Sequence, residues 1–192
     1  WSTIGYGATR IFRWMLDNNF DKGLNAKKPV AKREFLTAAR YGSIEIMKLL
    51  RSRGFDIQAD MTALAHKNPL SVAVNYEHLE LLKYLVDDCG LDSYWVSPKK
   101  RQSLLNLSCM LGLDQIAKYL YSKQGRKIDI PGKPKVSDSM LLIWAAQAGH
   151  WKVMEWLIDD GICDVNYRAK NVFALSAAAV GFGDSETAVE VL

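Results

Sequence analysis

The chain has 192 residues and is 49% hydrophobic, enough for one or two ordinary domains or one elongated array and too apolar for general disorder. Its 25 basic and 21 acidic residues leave a net charge of +4, too close to balance to mark a nucleic-acid or anionic-membrane surface. No apolar run approaches the ~20 residues of a membrane helix, and Cys89, Cys109 and Cys163 are too few and too widely spaced for a disulfide framework or a zinc site, which suits free thiols in a reducing intracellular compartment.

Along the chain, Tyr6-Gly-Ala-Thr-Arg-Ile-Phe-Arg-Trp-Met15 is answered 35 residues later by Tyr41-Gly-Ser-Ile-Glu-Ile-Met-Lys-Leu-Leu50. The same step leads to Tyr76–Leu85 and Leu111–Leu120, a step of 37 to Ala148–Leu157, and a further 35 to Val191-Leu192. A fixed period of this length signals stacked supersecondary units. Six units are expected in one array, near 1–32, 33–67, 68–102, 103–139, 140–172 and 173–192, with the outer two incomplete. A start at Trp1 and an end inside a helical pattern are those expected of a fragment.

Within each unit, apolar residues at helical spacing (Ile44, Met47, Leu50; Leu79, Leu82, Leu85; Val153, Trp156, Leu157) predict a second helix. A shorter first helix is predicted at Leu36–Arg40, Leu70–Val74, Leu105–Cys109, Ile143–Gln147 and Leu175–Val180, its small residues allowing close approach of neighbours. The stacked core should include Leu50, Ala73, Leu85, Leu120, Ala145 and Leu157, with Trp14, Trp144 and Trp156 also at core positions. Gly54, Gly90 and Gly161 follow the second helices, where a left-handed cap is favoured. The segment from Tyr121 to Ser139 carries Lys123, Arg126, Lys127, Lys133 and Lys135 with Pro131 and Pro134, and is expected to form an extended basic loop outside the core.

Asn68-Pro-Leu-Ser-Val-Ala-Val74 resembles the Thr-Pro-Leu-His-x-Ala-Ala opening of the ankyrin repeat, and Ala145-Ala-Gln-Ala-Gly-His150 with Gly161-Ile-Cys-Asp-Val-Asn166 is similar to that repeat's middle and end. The resemblance implies an all-α, ankyrin-type helix-turn-helix solenoid with short or irregular inter-repeat fingers. A tetratricopeptide array has a comparable period, but its Trp-x-x-Leu-Gly opening is missing.

His66, His78 and His150 never stand at metal-ligand spacing from one another, and two of them occupy the repeat's Gly-His position, where a structural hydrogen bond at the start of the second helix is expected. No phosphate-cradling Gly-rich loop and no nucleophile elbow appears. The reading is therefore a non-enzyme with no catalytic, cofactor or metal residues.

In the family the contact positions are finger tips and the ends of the first helices. This places a protein partner on the concave face, at Arg40, Tyr41, Asn75, Tyr76, Met110, Leu111 and Gln147, with Trp95 of the Asp92–Arg101 loop as a further anchor. The mixture of aromatic, apolar and amide groups suits a protein surface better than a phosphate backbone. The basic loop favours an acidic partner surface. The other function class is a fixed structural subunit of a larger complex or a regulatory arm of a multidomain protein.

Overall fold

The computed structural model describes residues 29–55, 68–96, 102–124, 139–166 and 173–180, together with 10, 11, 13, 14 and 18; side chains are described from Phe35 in the first stretch and from Met140 in the fourth. The helices are α1 (Pro29–Arg40), α2 (Ile44–Ser52), α3 (Pro69–Asn75), α4 (Leu79–Lys83), α5 (Leu104–Met110), α6 (Asp114–Gln124), α7 (Ser139–Gln147), α8 (Trp151–Asp159) and α9 (Ala174–Ala179). The fold is all-α: the described residues contain no strand, only an isolated antiparallel bridge between Val96 and Ser103.

The chain divides into two compact units, residues 1–92 with 97–100, and residues 93–96 with 101–192. In the first, α1 packs against both α2 and α3, and α3 against α4. In the second, α7 is the centre, contacting α5, α8 and α9, while α6 packs on α5 and α8. Each unit thus lays first helices beside first helices, with the second helix folded back on its own partner.

Local chemistry sets the starts of these helices. Asn68 Oδ1 accepts from Leu70 N at 2.7 Å with Pro69 in the first turn, and Ser103 Oγ accepts from Asn106 N at 3.1 Å. The helix pairs share one turn. Ser43, His78, Leu113 and His150 each donate a backbone N–H to the carbonyl five residues back, on Ala38, Ala73, Ser108 and Ala145, at 2.9–3.0 Å. The residue before each donor has positive φ: Gly42, Glu77, Gly112 and Gly149. This left-handed closure satisfies carbonyls that the helix end would leave orphaned, and all four acceptor residues are fully buried.

Leu50, Ala73, Leu85, Leu120, Ala145 and Leu157 are all fully buried, as the period requires. Gly54, Gly90 and Gly161 all have positive φ after the second helices. Around the second of them the geometry changes. Leu50 to Gly54 and Leu157 to Gly161 are four steps, but Leu85 to Gly90 is five. The added residue is absorbed in a single π-turn, Tyr84–Asp88, continuing α4, and the closing bond widens accordingly: Phe55 N and Ile162 N reach five residues back, whereas Leu91 N reaches six, to Leu85 O at 3.0 Å.

Three expectations need correction. Trp14 is 58% exposed and has no place in the core of the described residues, while Trp144 is half-buried and Trp156 buried. Helix α1 begins at Pro29, about two turns before Leu36, because Pro is well tolerated in a first turn and Ala31 to Glu34 carry no helix breaker. The basic segment does not begin at Tyr121: α6 runs to Gln124, so Lys123 lies in its last turn, where a cation opposes the carbonyl end of the helix dipole favourably. The remainder, including Arg126, Lys127, Lys133 and Lys135, lies outside the described residues, as does His66.

Candidate functional site

The expected partner-binding positions fall at the first-helix ends and turns of both units. In the first unit, Arg40 closes α1 and the next residue, Tyr41, enters the turn; Asn75 and Tyr76 stand at the same places after α3. Tyr41 is 49% and Tyr76 45% exposed. The Arg40 guanidinium gathers them: its Cζ lies over the Tyr76 ring at 5.2 Å and over the Tyr41 ring at 6.0 Å, distances at which ring quadrupoles attract a cation. Asn75 is exposed, but its Nδ2 turns back to Ser71 O at 2.6 Å.

The Arg40 backbone is fixed from the neighbouring repeat. His78 Nε2 lies 2.8 Å from the Arg40 carbonyl oxygen, and since a carbonyl only accepts, Nε2 carries the proton. Gly42 makes room: its φ is +66°, and a Cβ there would lie 2.7 Å from His78 Nδ1. The second unit repeats the device, with His150 Nε2 donating to Met110 O at 3.0 Å over Gly112, where a Cβ would meet His150 Nδ1 at 2.5 Å. The histidines therefore make structural hydrogen bonds, but across a repeat boundary; neither side chain caps the helix it precedes. Sequence reading missed that direction. The signal was present in the pairing of Gly42 with His78 and of Gly112 with His150, one repeat apart.

In the second unit the displayed groups are apolar. Met110 is 43% and Leu111 41% exposed, and Gln102 Nε2 donates to Met110 Sδ at 2.8 Å. Gln147 is exposed at the end of α7, with Ala148 half-buried after it. Trp95 is half-buried, in a short segment held to α6: the Tyr94 hydroxyl donates to Gln124 O, and Gln124 Nε2 to Ser93 O at 2.8 Å. Its neighbour Tyr94 is the more exposed ring.

The second helices carry a different set of contacts. Arg51 Nη1 donates to the Tyr84 phenol and to Cys89 Sγ, each at 3.3 Å, and Lys48 Nζ lies 5.6 Å from the centre of the Tyr84 ring. In the second unit Lys118 stands 6.0 Å from Trp156, which stacks edge-on with Tyr121 and donates Nε1–H to Asp160 at 2.7 Å. Burial raises the Tyr84 hydroxyl above its ordinary range against the opposing Arg51 hydrogen bond, and raises the Cys89 thiol against the Tyr84 hydrogen bond and the Arg51 charge. Cys109 is pushed up to about 12, by burial first and the neighbouring Cys163 second. A thiol raised in this way is a poor nucleophile at neutral pH. No group of three or more metal-ligating side chains occurs among the described residues, and no described helix is long and apolar enough to cross a membrane.

Comparison with known families agrees with this geometry. The model described as ankyrin repeats in three copies matches residues 35–132, half of the chain, and the single ankyrin repeat model matches residues 140–170. Comparison with curated proteins returned no match. Period, helix pairs, left-handed turns and both family matches lead to one statement: this chain belongs to the ankyrin-repeat family.

Proposed function

We propose that the chain is a scaffold that binds a protein partner through the turns following its first helices, the concave side in ankyrin arrays. Ankyrin repeats are in general protein-interaction modules. One observation carries the finer reading: Tyr41, Tyr76 and Leu111 are large side chains left exposed at equivalent places in successive repeats, with Met110 exposed just before Leu111. Tyrosine rings on rigid backbone are among the groups that contribute most at an interface centre, because they offer a large contact area and lose little conformational freedom on binding. Gln147 and the loop of Trp95 extend the proposed surface within the second unit, and the six repeats are proposed to act as one array.

The test is a variant with Tyr41, Tyr76 and Met110 all replaced by Ala, compared with the parent in reconstituted binding to each protein that co-purifies with it. Unchanged helical content with affinity reduced by about 100-fold supports the reading, each lost anchor being worth ~1 kcal/mol or more. Equal affinity places the interface elsewhere. Native mass spectrometry of the intact source protein separates an exchanging partner from a fixed subunit.

A further inference from the structure

The geometry points to Arg40 as a specificity-determining residue for a carboxylate side chain in the partner, a deeper reading that rests on the protein-binding proposal above. Arg40 is held at its backbone and met by ring contacts at its guanidinium. Its backbone carbonyl is held by His78 at 2.8 Å through the gap that Gly42 leaves, and its side chain lies over the Tyr76 and Tyr41 rings at 5.2 and 6.0 Å. An arginine ordered before binding loses less freedom when it engages a ligand.

Its charge is unanswered among the described residues. Glu45 and Glu80 of α2 and α4 pair with Lys48 at 3.7 Å and Lys83 at 2.8 Å, and no described carboxylate stands within ion-pair distance of Arg40. Guanidinium donors in a fixed plane match the two oxygens of a carboxylate. The tyrosine rings beside them offer apolar surface to an adjoining side chain, so the recognised feature is an Asp or Glu next to an aliphatic or aromatic residue. One guanidinium, followed along the chain by the exposed Glu77, suits a single carboxylate rather than the repeated charges of a nucleic-acid backbone. On this proposal the preference belongs to the displayed residue and not to the clamp. In the second unit the same His-to-carbonyl bond presents Met110, which has no charge.

A random peptide library displayed on phage, selected against the full 192-residue chain, tests this. The expected winners carry Asp or Glu beside an apolar residue and bind Arg40→Gln about tenfold more weakly. Arg40→Glu should turn the selection toward Lys- or Arg-bearing peptides, an inversion that a purely structural role of Arg40 would not produce; circular dichroism checks that both variants fold. Winners without acidic residues, or equal binding to Arg40→Gln, overturn the inference and leave the scaffold reading standing. Failure of any peptide to bind parent or variants overturns both.

Discussion

His78 reaches back across a repeat boundary to donate to the carbonyl oxygen of Arg40, and it can do so only because residue 42 has no side chain. The same arrangement joins His150 to Met110 over Gly112. In each unit the bond ties the start of one second helix to the end of the preceding repeat's first helix, where the proposed recognition residue stands.

Gly42→Ala should therefore destabilise the chain beyond the ~1–2 kcal/mol cost of a left-handed alanine, because its Cβ would also meet the imidazole. Gly54→Ala, with positive φ but open space around it, should show the backbone cost alone. Urea unfolding of Gly42→Ala, His78→Ala and the double variant should be non-additive, the double being more stable than the sum implies because the clash is gone. Additive losses would remove the steric argument.

Leu85 is fully buried, so Leu85→Ala should cost about 2–5 kcal/mol. Deleting Asp88 removes the added residue of the π-turn and restores the four-residue spacing found at Leu50–Gly54. It should cost less stability than deleting Arg53, which would shorten a turn already at that spacing. Thermal unfolding of the two deletions decides this, and an equal loss would mean that the π-turn is required.

Asn68 caps α3 while fully buried, but its Nδ2 has no hydrogen-bond partner. Asn68→Ala should cost about 1 kcal/mol through the lost cap. Asn68→Thr keeps an acceptor oxygen and removes the orphaned amide, so it should be closer to neutral than alanine in the same chemical-denaturation series.

Cys109 gives the stability a pH dependence of known sign. Its folded-state value is raised, from an ordinary 9.0 to about 12, so the neutral thiol is common to folded and unfolded chains below 9 and its contribution is intact there. Above 9 the unfolded chain loses the proton first. Stability should then fall by up to about 1.4 kcal/mol per pH unit until the folded thiol also ionises near 12. The difference between parent and Cys109→Ala in unfolding experiments from pH 8 upward isolates this term. A thiol-reactive dye should label Cys89 and Cys163 well before Cys109 in the folded chain.

Sequence alone determined the repeat period, the pairing of helices and the buried apolar set, because burial of one helical face leaves a periodic trace that needs no tertiary information. Leu50, Leu85, Leu120 and Leu157 were legible for that reason, and Tyr41, Tyr76 and Met110 could be picked out as side chains that the core pattern does not require. Trp14 was misread because a large apolar residue in register looks like core whether or not anything covers it. The early start of α1 and the helical place of Lys123 escaped notice because composition and charge mark helix ends poorly. Tertiary structure alone decided which way the histidines donate, that the extra residue before Gly90 becomes a π-turn, and that Arg40 gathers two tyrosines from successive repeats. These are contacts between residues about one period apart, and a periodic pattern specifies that such positions are equivalent without specifying which of their atoms meet.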